Sequence, residues 1–248
     1  MPSVLITGAN SGLGLEFTRQ LLRLGWSVHA CCRKPERADD LRALRGGTPE
    51  SLNIHAVDLA DFVSIDNLAT KLASAPIDLL INNAGVMDTT PIDFSEDNRR
   101  KVQVFGALNH SSWSEVFLIN VIGTTRLTEV VLPNLQAGSQ RKIVMISSIM
   151  GSIEACSPNR FPPGGGLYLY RSSKAALNMI SRNLAADLAS CGFTVLSVNP
   201  GWVKTAMGGR DAMLDPETSV GNMIKVISSA TSSDNGSFIS HDGARLPW

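Results

Sequence analysis

Val4-Leu5-Ile6-Thr7-Gly8-Ala9-Asn10-Ser11-Gly12-Leu13-Gly14 decides the fold. The apolar run Val4–Ile6 has the character of a short buried strand and stops at Thr7-Gly8. Beyond the glycines, Leu13, Phe17, Leu21 and Leu24 recur on one face, which predicts a helix over 12–25 closed by Gly25. The same alternation continues outward. Strands are expected at 28–32, 53–57, 78–81, 142–147, 194–198 and 238–239. Helices are expected at 36–46, 62–74, 112–137, 168–190 and 216–229. The stretch 86–110 has no regular pattern. Residues 149–167 read as a loop, because Pro158, Pro162, Pro163 and Gly164-Gly165-Gly166 interrupt any helix. Strands separated by whole helices cannot pair as hairpins. The expected fold is therefore α/β, a Rossmann-type doubly wound parallel sheet of about seven strands with helices on both faces. No linker, composition break or internal repeat divides the chain, so residues 1–248 read as one domain.

Composition narrows the function. Lysine and arginine total 22, as do aspartate and glutamate, so no net field favours nucleic acid or an anionic membrane. No apolar run approaches the roughly 18–20 residues of a membrane span, and the N-terminus has no basic leader. The four cysteines (Cys31, Cys32, Cys156, Cys191) lack Cys-x-x-Cys spacing and read as reduced, mostly buried thiols of a cytoplasmic protein. Cys31 and Cys32 should point to opposite sides of a strand. The four histidines are scattered and give no metal signature.

Glycines between a strand and a helix permit a tight turn and bring a pyrophosphate close to the N–H groups of the helix start. Three residues separate Gly8 from Gly12 and one separates Gly12 from Gly14. This spacing, TGANSGLG, resembles the short-chain dehydrogenase/reductase family, which implies a nicotinamide dinucleotide held by Gly8, Asn10, Ser11, Gly12, Leu13 and Gly14. The second strand ends in Cys32-Arg33-Lys34, where NAD-binding relatives of this fold place an acid for the ribose 2′-hydroxyl. Cys32 cannot fill that role; Arg33 and Lys34 read either as solvated loop charges or as partners of a 2′-phosphate, which the Arg33 guanidinium can pair with, and the expected cofactor is NADP(H).

Other motifs extend the resemblance. Asp58-Leu59 looks like the family's adenine-contacting pair, although Asp58 reads equally as a helix cap or loop charge. Asn82-Asn83-Ala84-Gly85 matches its NNAG motif, implying that Asn83, Ala84 and Gly85 lie beside the adenosine ribose. Pro200-Gly201-Trp202-Val203-Lys204-Thr205 resembles its PG-x-x-x-T segment. That implies a nicotinamide carboxamide fixed by the Val203 backbone and the Thr205 hydroxyl, with Pro200 and Gly201 shaping the turn. Trp202 reads as loop packing.

Tyr170 and Lys174 are four apart in the predicted helix 168–190, so both side chains lie on one face. Reducing a carbonyl requires hydride at carbon and a proton at oxygen. A free phenol is too weak an acid for that at neutral pH. A cation at ~4 Å in an effective dielectric of ~20 is worth ~4 kcal/mol, about a thousandfold in acidity, so Lys174 is expected to bring Tyr170 close to neutral. A hydroxyl after the fifth strand can hydrogen-bond the substrate oxygen. The family pattern selects Ser148 over Ser147 for this, and matches Asn120 to a fourth catalytic residue that holds a water leading from Lys174 to solvent.

The segments SSIMGSI, YRSSKAALN, NPGWVKTAMGG and DGARLPW look nearest to the sniffer-like and C-factor-like carbonyl reductases of the family. The resemblance implies NADPH-dependent reduction of an aldehyde, ketone or quinone, with Tyr170 as proton donor. Oxidation of an alcohol or steroid by the same residues stays open, as does a non-catalytic dinucleotide sensor. Ser148 and Tyr170 are 22 positions apart, more than in many relatives, so the extra residues should form a flap with Ile149, Met150 and Phe161 as lining candidates. Segments 86–110, 149–167 and 205–215, the last with Met207 and Met213, should wall a site for an uncharged, moderately hydrophobic substrate. Helices 112–137 and 168–190 could pair two copies in a homodimer.

Overall fold

The computed structural model describes residues 1–46, 50–89, 103–157 and 166–248. Seven strands form one parallel sheet in the order β3-β2-β1-β4-β5-β6-β7. They are β1 (Ser3–Thr7), β2 (Ser27–Cys32), β3 (Leu52–Ala56), β4 (Leu79–Asn82), β5 (Lys142–Ile146), β6 (Thr194–Asn199) and β7 (Ser237–Ser240). The chain builds outward from β1 in one direction and then returns to add β4 on its other side. The register pairs Val4 with Val28 across one edge of β1 and with Leu79 across the other. The crevice past the carboxyl ends of β1 and β4 is thus the switch point at which such sheets take ligands.

Alternation along each strand supplies two cores. Val4, Ile6, Val28, Ile81, Val144 and Val198 face α1 (Gly12–Arg23) and α8 (Pro216–Ser229), meeting Phe17, Leu21, Val220 and Met223. Leu5, Leu80, Ile143, Met145 and Val195 face the other layer, meeting Ile65 and Leu68 of α3 (Phe62–Leu72), Leu127 of α5 (Thr124–Val130) and Leu177 of α7 (Tyr168–Asp187). Burial on both faces is what a parallel sheet demands. Cys32 joins the first core and Cys31 the second, on opposite sides of β2 as expected.

Several boundaries differ from expectation. Helix α1 ends at Arg23, and Leu24, expected on its apolar face, is 61% exposed. The expected helix 36–46 is a 3-10 turn, a short α2 (Asp39–Ala43) and a second 3-10 turn. The expected continuous helix 112–137 begins at His110 and is divided: α4 (His110–Phe117), a π-helical turn Leu118–Gly123, α5, and α6 (Leu132–Ala137). Pro133 opens α6 and explains the break at Val131, since proline lacks the N–H and crowds the preceding turn. The π turn follows from packing: a β-carbon on Gly123 would lie 1.9 Å from the Leu59 carbonyl oxygen, and the Thr124 hydroxyl bonds the Ile119 carbonyl five residues back. All four cysteines are free; Cys31 and Cys32 are buried, whereas Cys156 and Cys191 are exposed, so burial holds for half of the set expected to be mostly buried. Phe161, Pro158, Pro162, Pro163, Gly164, Gly165 and residues 90–102 lie outside the described residues. No helix among the described residues is long and apolar enough to cross a membrane.

On β2 and β3, His29 Nδ1 lies 3.1 Å from His55 Nε2, with ring centroids 5.3 Å apart. Burial pushes both imidazoles down, His55 to about 4, and the His29 and Lys71 charges add to the effect at His55. A folded-state pKa below the unfolded value of 6.5 means that the unfolded chain binds more protons between those limits. Stability should therefore fall as pH drops from about 6.5 towards 4, by about 1–2 kcal/mol after discounting for partial solvent screening. Melting temperatures of wild type and His55→Gln between pH 4 and 7 check this. The variant should show a shallower acid slope, and identical slopes would remove the pair as its cause.

Candidate active site

The glycine loop is fixed from below by the end of β4. The Thr7 hydroxyl accepts hydrogen bonds from the Asn83 and Ala84 backbone N–H groups, both at 3.0 Å. The Asn83 amide donates to the Thr7 carbonyl at 2.8 Å. Gly8 and Gly12 take positive φ, +66° and +53°, in the left-handed region that favours glycine. Gly14 answers a different need: a β-carbon there would lie 2.2 Å from the Gly8 carbonyl oxygen and 2.6 Å from Asn83 Nδ2. Ser11 caps α1 with no side-chain hydrogen bond, so the first N–H groups of the helix have no cap from its hydroxyl. Asn82 points elsewhere, donating to Thr128 Oγ1 and Met145 Sδ, and ties sheet to helix.

A cleft of about 710 Å³ opens at the switch point. Gly8, Asn10, Ser11, Gly12 and Leu13 form one wall, with Arg33 and Asp58-Leu59 past β2 and β3, and Asn83, Ala84 and Gly85 past β4. Pro200 and Thr205 border it after β6, and Tyr170 and Lys174 from α7. Gly14, Asn120, Ser148, Gly201 and Val203 do not border this volume. Gly14 and Gly201 serve close packing, since a β-carbon on Gly201 would lie 2.7 Å from Leu214 and 2.8 Å from His241. Asp58 accepts from the Ala60 N–H in a turn, while Asp61 is the residue that caps α3. Thr205 Oγ1 accepts from Gly208 N–H and lies 3.4 Å from the Val203 carbonyl. Trp202 donates to the Gly208 carbonyl and so packs its own loop.

At the α7 end, Tyr170 is only 7% exposed, and the Ser148 hydroxyl lies near enough to oppose the effect of burial on its phenol. Ser148 also accepts from Met150 N–H. Ser147 borders the cleft, but its hydroxyl is turned away and donates to Asn178 Oδ1 at 2.6 Å. Lys174 is 4% exposed and donates to the Ile146 carbonyl at 2.8 Å, with Nζ 5.7 Å from the Tyr170 ring centre. Asn120, 1% exposed in the π turn, accepts from Val86 N–H and donates to the Val86 carbonyl and Ser173 Oγ. Its side chain thus clamps the segment after β4 to α7, and one lone pair of Oδ1 is left for a further donor.

The expected lowering of the Tyr170 pKa towards neutral by Lys174 is corrected by this geometry. Burial dominates and pushes the phenol up to about 12, with the Ser148 hydrogen bond opposing it. Burial also pulls the Lys174 ammonium down to about 8. The expectation assumed a charge ~4 Å away with no penalty for burying either group.

Residues unremarked in the sequence also shape the site. Thr7 anchors the loop, and Lys204, Ile119 and Ile146 border the cleft, as does Met207 of the expected 205–215 wall. Gln103 holds the start of α7. Thr7 and Lys204 stood inside the quoted motifs; Gln103 carried no local signal. Among the described residues, no group of three or more His, Cys, Asp or Glu side chains is placed to hold a metal ion.

Comparison with known proteins agrees with the architecture. The short chain dehydrogenase family profile matches residues 2–216. The C-signal protein of Myxococcus xanthus is 37% identical over 180 residues, covering 73% of this chain and 98% of its own. Among solved structures, the carbonyl reductase Sniffer of D. melanogaster superposes with a TM-score of 0.86 at 31% identity, covering 100% of both chains. The NADPH-bound carbonyl reductase from chicken fatty liver gives 0.85 at 34% identity, over 100% of this chain and 99% of its own. With the glycine loop, the switch-point cleft and Ser148, Tyr170 and Lys174 set around one parallel sheet, the chain belongs to the short chain dehydrogenase family.

Proposed function

We propose that this protein is an NADPH-dependent carbonyl reductase acting on aldehydes, ketones or quinones, with residues 1–248 working as one dinucleotide-binding domain. The observation that carries the proposal is the cleft itself: the glycine loop and Arg33 border it along with Tyr170 and Lys174, with the Ser148 hydroxyl beside the Tyr170 phenol. The residues fit a dinucleotide. The uncapped start of α1 suits a pyrophosphate, and side chains at Gly8 or Gly14 would collide with the NNAG segment or the loop backbone. Asp58 and Leu59 would meet the adenine, Asn83, Ala84 and Gly85 the adenosine ribose, and Val203 and Thr205 the nicotinamide carboxamide. NADPH-bound and NADP-bound neighbours in the same family support the choice of cofactor.

Held in this cleft, NADPH would supply hydride chemistry at the carbonyl carbon. Tyr170 supplies the proton to oxygen: its high pKa keeps the phenol protonated at neutral pH, and an alkoxide is a stronger base than the phenolate left behind. Lys174, with a pKa of about 8, is cationic at pH 7 and stabilises that phenolate. Ser148 orients the phenol and offers a hydrogen bond to the substrate oxygen. A β-carbon on Gly85 would lie 3.2 Å from Asn120 Oδ1 and 3.4 Å from Lys174 Nζ, so glycine there keeps clear the path for a water-borne proton between them. Val86 and Met207 border the cleft and belong to two of the segments proposed to set substrate choice. A cytoplasmic location and a homodimer through α4–α6 and α7 complete the proposal; exposed Ile122 and Met179 on those elements support the second.

The test is NADPH oxidation with a panel of aldehydes, diketones and quinones. Turnover with at least one class is expected, and no turnover with any would count against the reading. Cofactor choice has its own result. Loss of a charge-assisted hydrogen bond is worth about 1.5–3 kcal/mol, so Arg33→Ala should weaken NADPH binding roughly 10- to 100-fold and leave NADH binding nearly unchanged. Equal losses for both cofactors would refute the 2′-phosphate role of Arg33.

A further inference from the structure

We propose that Gln103 is the positioning residue of Tyr170, joining the start of the catalytic helix to the segment that borders the cleft after β4. The inference rests on the reading of Tyr170 as proton donor. Helix α7 begins without a cap of its own: Leu167 sits in the left-handed region at φ 52° and makes no side-chain hydrogen bond to the first turn. The first N–H groups of a helix need acceptors from outside it. Gln103, more than sixty positions earlier in the chain, supplies them. Its Oε1 accepts from Leu169 N–H at 3.0 Å and from Tyr170 N–H at 3.3 Å, and its backbone carbonyl accepts from Tyr168 N–H at 3.4 Å.

The other end of the same amide is equally committed. Nε2 donates to the Met87 carbonyl at 2.8 Å and to Asp88 Oδ2 at 3.0 Å. The residue is 8% exposed and holds a positive φ of 49°, a conformation a non-glycine residue rarely adopts. Tyr170 is also held at its carbonyl, which accepts from Ser173 Oγ at 2.8 Å. Ser173 in turn accepts from Asn120, and Asn120 clamps Val86. Both backbone groups of Tyr170 are therefore tied to residues 86–88, one through Gln103 and the other through Ser173 and Asn120. Displacing reacting groups by even 1 Å can cost about a hundredfold in rate, so an amide placed here fixes the height of the phenol against Ser148.

A cap that served stability alone would lower the melting temperature and nothing else. Three variants separate the two roles in the full-length protein. Gln103→Met has a similar shape but loses both the acceptor and the donors. Gln103→Glu keeps the acceptor at the helix start but sets a carboxylate oxygen against Asp88 Oδ2 and the Met87 carbonyl, so it breaks the tie to residues 87–88 alone. Gln103→Asn withdraws the amide by one methylene. Gln103→Met should lower kcat for carbonyl reduction roughly 10- to 100-fold, with NADPH affinity within about twofold of wild type, and Gln103→Glu, which loses the tie to residues 87–88, should not restore it. The chain has two tyrosines, so in a Tyr168→Phe background labelled tyrosine gives a single ring resonance, that of Tyr170. That resonance should move in both Gln103→Met and Gln103→Glu. If Gln103→Met does not fold, the same losses are expected, in smaller degree, from Gln103→Asn. A folded Gln103→Met or Gln103→Asn with wild-type kcat and an unmoved resonance would overturn the inference. Were Tyr170→Phe inactive in the same experiments, the proton-donor reading would survive that result. Were Tyr170→Phe active, that reading would fail on its own, and the resonance alone would decide whether Gln103 positions the ring.

Discussion

Tyr170→Phe is expected to lower turnover of NADPH with carbonyl substrates by about 10²–10⁴-fold, the usual contribution of a positioned general acid. The substitution removes one oxygen from a buried side chain and leaves the ring packing in place. Burial pushes the phenol up to about 12, so it carries its proton throughout the neutral range and can release it only to a strongly basic oxygen beside it. Ser148 keeps a partner after the change, because it still accepts from Met150 N–H. Cofactor affinity, followed by quenching of tryptophan fluorescence, should stay near wild type. Turnover at the wild-type rate would show that another group gives the proton.

Gly14→Ala should have the second large effect, on the fold of the site rather than its chemistry. The added methyl would stand 2.2 Å from the Gly8 carbonyl oxygen and 2.6 Å from Asn83 Nδ2. Neither atom is the free end of a long side chain. The carbonyl is backbone, and the amide is already bonded to Thr7. Relief requires moving α1 away from the loop, at an overpacking cost of about 1–3 kcal/mol or more. For a chain of this size that corresponds to a melting temperature lower by roughly 2–4 °C per kcal/mol, with NADPH binding weakened because the loop no longer presents its N–H groups together. Gly25→Ala is the control. Nothing lies within 4 Å of its β-carbon, so it carries only the strain of a φ of +78° and should leave cofactor affinity intact. Unchanged stability and affinity in Gly14→Ala would contradict the packing described for the loop.

Much of this architecture was legible in short stretches of sequence. A buried strand ending in glycines needs only local pattern, as does the i, i+4 spacing of Tyr170 and Lys174. What depended on distant neighbours was not legible. The π turn around Asn120 requires Gly123 to lie against the Leu59 carbonyl, a contact between elements far apart in the chain. A family motif points to Asn120, but its partners Val86 and Ser173 appear only after folding. The same is true of the Tyr170 pKa. Spacing indicates that a cation is near, whereas the depth of burial decides which way the phenol moves. Gln103 lies in the irregular stretch 86–110, where neither periodicity nor motif singles out a residue. Leu24 shows the opposite failure: helical spacing assigned it to the core, but α1 ends one residue earlier and leaves it in solvent.

The central claim is hydride transfer from NADPH to a carbonyl carbon on this protein, and isotopic labelling tests it most directly. The enzyme is incubated with an aldehyde and NADPH carrying deuterium at C4 of the nicotinamide, in separate experiments with each of the two C4 epimers. A site that fixes one face of the ring should yield an alcohol with one deuterium on the former carbonyl carbon from one epimer and none from the other. NADPH consumption without alcohol formation, or an alcohol free of deuterium from both epimers, would contradict it.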